Sequence, residues 1–222
     1  MAEKEWTEVA TATTDTIDGS EHVVEISTAP ICSNMSNKDF RELVMRARDA
    51  AVSLIQQRIA GVARWDAPEQ ARAKQFFGRA DNEIRATLVS GLPKLLNAMQ
   101  ELVPEKIVRW DDETSRQMTC SVNPDNGDNT AAVCKPDSKK RVIAIYSRFC
   151  TISDGDLWAA SKVKTLIHEC SHYVDTFDSE DIAYSDTEPG LRIFAMRHPD
   201  KAIRNADNIA GYIATFDIKI MK

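Results

Sequence analysis

The feature that most constrains this chain is His168-Glu-Cys-Ser-His172, which follows the partly apolar stretch Val163 to Ile167. Residues four apart on an α-helix differ by only about 40° around the axis, so both imidazoles leave one face and can converge on one ion. Glu169 sits beside that point without having to bind there. Two imidazoles with an acid at hand suit a zinc ion whose water must lose a proton. Val163, Leu166 and Ile167 are apolar, as a buried helix with a dry wall requires. The plainer alternative is a pair of histidines on a helix surface.

An open catalytic zinc site takes three protein ligands and a water. Spacing does not identify the third. His22 lies in a polar leader and His198 precedes a proline, so neither is compelling. Asp175, Asp178, Glu180 and Asp181 all follow the helix closely enough to fold back. The five cysteines, Cys32, Cys120, Cys134, Cys150 and Cys170, contain no C-x-x-C pair, which argues against a thiolate-built zinc site. An odd count leaves at least one thiol free in a monomer, and cysteine usage alone does not fix the redox compartment.

With 222 residues and 43% hydrophobic content, the chain can bury one core well and two only marginally. Lys plus Arg number 28 against 34 for Asp plus Glu, a net charge of -6, which argues against a nucleic-acid partner. No apolar run approaches the roughly 20 residues that span a bilayer, so no membrane partner is expected. The first 22 residues lack the basic and apolar regions of a classical signal peptide.

Residues 1–35, rich in Thr, Ser, Ala and acids, read as a polar N-terminal tail without regular structure. Residues 36–222 read as a single domain with three parts: helical over 36–103, stranded over 104–150, then the histidine helix and C-terminal helices over 156–222. Ser36 or Asn37 caps a helix that ends at Gly61 or at Asp66-Ala-Pro68, where a second begins. A third breaks at Gly91-Leu-Pro93 and resumes to Leu102. Strands are expected at Lys106–Trp110, Gln117–Val122, Thr130–Cys134 and Arg141–Phe149, with a hairpin at Lys135-Pro-Asp-Ser138. The histidine helix is expected to run from Leu157, and the last helices from Thr187 to about Phe216.

Thr165-Leu-Ile-His-Glu-Cys-Ser-His172, followed by Asp181-Ile-Ala-Tyr184, resembles the aspzincin family of deuterolysins and peptidyl-Lys metalloendopeptidases. That family carries G-T-x-D-x-x-Y-G where this chain has D-S-E-D-I-A-Y-S, so Asp181 and Tyr184 are kept and both flanking glycines are replaced. His198-Pro-Asp-Lys-Ala, with Asn205-Ala-Asp-Asn208, resembles a further family segment. The resemblance covers roughly residues 36–216 and is strongest over 165–208.

It implies an α+β, zincin-like metallopeptidase domain, mostly helical with a small sheet that contains antiparallel pairing. It implies Zn2+ held by His168, His172 and Asp181, Glu169 as the general base that activates water, and Tyr184 aimed at the developing oxyanion. Tyr184 as a core aromatic is the competing reading. The substrate is then a protein or peptide docked along a sheet edge, and the enzyme a secreted or exported monomer. In lysine-specific members two acids near the N-A-D-N segment receive the substrate lysine. Here the first is Asp207 and the second position is Ala210, so one carboxylate remains to favour a basic residue. Asp207 bonded to the backbone or to a ligand histidine is the alternative. A specialised effector acting on bacterial cell-wall peptides, a non-catalytic peptide-binding protein that retains the zinc site, and a purely structural zinc site are the other readings.

Overall fold

A computed structural model describes residues 5–13, 21–156 and 159–214. The chain separates into two compact units, residues 1–42 and 43–222. In the first, β1 (Glu5–Thr13) and β2 (Glu21–Thr28) pair antiparallel, in a register from Glu5 opposite Thr28 to Thr13 opposite Glu21, with an irregularity between Glu8 and Ala10. This corrects the expectation of a tail without regular structure. Both segments are dense in Thr and Val, which favour the extended backbone more than their polarity suggests.

Helix α1 (Asn37–Arg64) begins where Ser36 accepts the Asp39 amide at 3.0 Å and runs three residues past Gly61. Val44, Ala47, Ala51 and Ile55 form its fully buried stripe. Helix α2 (Ala67–Phe77) starts at Asp66, whose carboxylate accepts the Glu69 amide, with Pro68 in the first turn. It stops at Gly78, whose φ of 74° is open to glycine at little cost.

Helix α3 (Asn82–Gln100) is continuous, which overturns the break expected at Gly91-Leu-Pro93. A proline inside a helix costs about 3 kcal/mol. Leu88, Leu92, Leu95 and Met99 are fully buried along one stripe of this helix, and each contributes about 1.5–3 kcal/mol on burial. Packing wins. Gly91 is needed for another reason: the Phe177 ring lies against it, and a Cβ there would come within 2.3 Å of that ring.

The second part is a three-stranded mixed sheet ordered β3–β5–β4. Strand β3 (Ile107–Arg109) is followed by the short helix α4 (Glu113–Arg116) and then β4 (Ala131–Val133). Central β5 (Ile143–Ile145) is buried, parallel to β3 and antiparallel to β4. A 3₁₀ turn, Lys135–Lys140, joins β4 to β5 where the hairpin was expected. The longer expected strand at Arg141–Phe149 ends early, because Ser147–Cys150 winds into a 3₁₀ turn. Gln117–Val122 forms no strand; a Cys120–Cys134 disulfide holds it instead.

Helix α5 (Lys162–Ser171) is capped by Ser161, and the stretch from Leu157 that was expected to begin it includes two residues outside the described ones. Helices α6 (Glu188–Arg197), α7 (Pro199–Ala202) and α8 (Ala206–Ala214) complete the unit; the expected end near Phe216 also lies outside the described residues. Helix α5 packs on α8, α3 and β4. Among the described residues no helix is long and apolar enough to cross a membrane.

Glu69 ties three helices together. Its buried carboxylate accepts from Arg58 of α1 at 3.0 Å and from the Tyr212 hydroxyl of α8 at 2.5 Å. Removing one member of a buried ionic group costs about 3–5 kcal/mol. Glu69→Ala should lower the unfolding free energy by about that much in a urea titration. A loss below about 1 kcal/mol would remove Glu69 from this role.

Candidate active site

The first histidine sits in the last turn of α5 and the second caps its C-terminus. Their rings face each other edge to face, with centroids 4.8 Å apart. Beyond His172 the chain must reverse at once, and a set of local bonds enforces the turn. Thr176 donates from its hydroxyl to the Cys170 carbonyl at 2.8 Å, and Asp178 takes a left-handed φ of 51°. Arg141 grips Asp175 with two bonds of 2.7 Å, which hold that carboxyl below its ordinary range, and stacks over the Tyr173 ring. Chain reversal brings Ser179 back beside His172 and Asp181 in front of both imidazoles.

One oxygen of Asp181 lies 3.1 Å from His168 Nε2 and 3.3 Å from His172 Nε2. All three donor atoms fall within 4.8 Å of one another. The opposite ring nitrogens are also occupied: His168 Nδ1 by Asp207 Oδ1 at 2.6 Å, and His172 Nδ1 by the Ser179 carbonyl at 2.9 Å. A carboxylate or carbonyl on Nδ1 fixes the proton there and leaves Nε2 with its lone pair toward the metal. Two such nitrogens and a carboxylate oxygen are a donor set that catalytic zinc takes. The residues fit the ion.

The three groups also act on one another electrostatically. Burial works against charge on all three groups, yet hydrogen bonding prevails. Asp181 and Asp207 raise His168 well above its usual value, Asp181 raises His172, and the two imidazoles hold Asp181 far below the carboxylate range. Glu169 is buried, and burial raises its pKa despite both neighbouring imidazoles. Its carboxylate bonds to none of the described residues. Tyr184 is 75% exposed on the wall of the same cleft. Lost solvent around the phenol, followed by the Asp181 charge, pushes it up to about 12.

The cleft has a volume of about 810 Å³ and is open to solvent. His168, Glu169, His172, Asp181, Tyr184 and Asp207 all line it, so the six residues that the family resemblance selected are brought to one place, whereas Asp175 and Asp178 are not among its lining. Residues 130–133, which include edge strand β4, form part of its wall. Asp207 has both oxygens engaged, one by His168 and the other by the Ser185 amide at 2.8 Å.

Several supporting residues escaped the sequence reading. Asn205 accepts the Ile182 and Ala183 amides through one oxygen, each at 3.0 Å, and so clamps the loop that carries Asp181. The Glu180 amide donates to the Arg204 carbonyl at 2.8 Å, and the Ala206 amide returns to the Glu180 carbonyl at 3.0 Å. Asn208 accepts from Asn205 at 2.7 Å and donates to the Phe76 carbonyl, anchoring the clamp in the core. The packed amides of Asn205-Ala-Asp-Asn208 were the available signal, since buried Asn and Asp must spend their bonds on a nearby backbone.

The helix-borne histidines and the facing aspartate form a candidate metal site, with the Glu169 carboxylate beside it on the same cleft. A family model for aspzincins, described as lysine-specific metallo-endopeptidase, matches residues 63–214, and the chain belongs to that family. A solved zinc peptidase from Grifola frondosa shares the fold with a TM-score of 0.61, at 18% identity over 79% of this chain and 94% of that one. No curated protein matches the sequence.

Partners that orient a ligand histidine typically contribute 10–100-fold to metal affinity. Asp207→Ala should therefore weaken zinc binding by about that factor in a competitive chelator titration. Unchanged affinity would contradict the orienting role.

Proposed function

We infer that this chain is a zinc-dependent endopeptidase in which Glu169 is the general base and the substrate lies extended along β4. The observation that carries the reading is the convergence of His168, His172 and Asp181, with Glu169 buried beside them in one open cleft. Zinc, when bound, polarises the scissile carbonyl and brings the acidity of a water near neutral pH. All other parts are supplied by the chain.

His168, His172 and Asp181 hold the ion. Asp207 and Ser179 act behind them as positioning residues, one on each imidazole. Glu169 takes the proton of the attacking water on its carboxylate and delivers it to the departing amine. Tyr184, with a pKa near 12, keeps its proton at neutral pH and donates it in a hydrogen bond to the oxygen where negative charge develops. Strand β4 pairs with β5 on one side, so its other edge offers backbone groups to an extended peptide. All these residues come from one chain, as a monomeric enzyme requires. The Cys120–Cys134 disulfide suits an oxidising compartment, which favours a protein exported from the cytosol.

Glu169→Gln should bind zinc as the parent does while losing about 10²–10⁴-fold in hydrolysis of a denatured protein substrate. Hydrolysis at the parental rate by a zinc-loaded Glu169→Gln protein would overturn the mechanism.

A further inference from the structure

The charged groups that line the cleft are nearly all committed. Asp181 faces the two imidazoles, and Asp207 is held by His168 and the Ser185 amide. Asp186 pairs with Arg148 at 2.8 Å, Glu180 with Arg204, and Lys135 with Asp178 at 2.8 Å. Lys164 differs. It lines the same cleft, is 9% exposed, and has no carboxylate within ion-pair distance among the described residues. Its Nζ donates to two backbone carbonyls, Ala159 at 2.8 Å and Asp186 at 2.9 Å. An ammonium has three donors, so one remains. Neighbouring residues 160, 161, 185 and 186 line the cleft as well, which sets this ammonium at its wall.

Four residues before His168 on α5, Lys164 stands one turn earlier on the same helix face. Anything it holds therefore lies close to the reacting bond. Burial pushes the ammonium down from its ordinary value, while the Asp207, Asp186 and Asp156 charges oppose that push. Desolvating a cation and bonding it only to neutral carbonyls is costly unless an anion completes the site. Substrate is the group that enters this cleft.

We propose that Lys164 is a specificity-determining residue whose ammonium receives a carboxylate of the peptide substrate, at a fixed position beside the scissile bond. This rests on the endopeptidase reading. Asp207 and Asp186, two of the acids whose charges act on Lys164, are already engaged, and Ala210, which also lines the cleft, brings no charge. A charge-assisted bond in such a place is worth a tenfold or larger preference.

The test profiles cut sites of the zinc-loaded full chain on a peptide library, then compares kcat/KM for paired peptides that differ only as Glu against Gln at the selected position. Expected is a Glu over Gln ratio of about ten or more. It should fall to near one in Lys164→Met, persist in Lys164→Arg, and shrink with rising salt in the parent. Amidated and free C-termini distinguish a side-chain carboxylate from a chain-end one; either supports the assignment. If Lys164→Met fails to fold, the salt dependence of the parental ratio decides. A parental ratio near one, or the same ratio in Lys164→Met, overturns the proposal alone. Absence of any cleavage by the zinc-loaded parent overturns the endopeptidase reading with it.

Discussion

An imidazole has two nitrogens, and a metal site works only if the correct one of each faces the ion. That constraint governs this molecule. Asp207 and the Ser179 carbonyl hold the two Nδ1 atoms, and both Nε2 atoms then turn to the same oxygen of Asp181. Neither holder can act from a mobile support. Ser179 is placed by the tight reversal after α5, which needs Thr176, the left-handed Asp178 and the Arg141–Asp175 pair. Asp207 sits in the first turn of α8, the helix packed against α5. The stability of the helical core and the aim of the metal donors are thus one problem.

The same segment does a second job. Asn205, Asp207 and Asn208 stitch the loop over 180–185 to α8 and, through Phe76 and Leu191, to α2 and α6. That loop gains little from its own burial, since Asp181 and Tyr184 are both exposed. Amide bonds to buried asparagines and a half-buried aspartate fix it where hydrophobic packing cannot. That leaves the cleft open to a peptide while the donors stay in place, the preorganisation that a catalytic site requires.

How far this could be read from the sequence follows from the range of the interactions. The His168–Glu169–His172 arrangement is local: helical period alone places those three side chains, and they stand where it puts them. Asp181 is different. Its approach depends on a turn whose left-handed residue is an aspartate and not a glycine, so composition gave no sign of the reversal, and only family resemblance selected it from four acids. Asn205 and Lys164 reach backbone groups some 22 residues away, and Ser179 offers His172 its own carbonyl, contacts that no periodicity reports. Pro93 misled because a local rule was outweighed by Leu88, Leu92, Leu95 and Met99 in the core. Gln117–Val122 looked like a strand, but residues 117–122 pair with no strand of the sheet; Cys120 is instead bonded to Cys134.

X-ray absorption at the zinc edge of the zinc-loaded protein tests this donor set, because a buried free thiol, Cys170, lies between the two histidines in the sequence. Expected is a first shell of nitrogen and oxygen alone at about 2.0–2.2 Å, with the outer scattering of two imidazoles. A sulfur scatterer at about 2.3 Å, or scattering from a single imidazole, would contradict it.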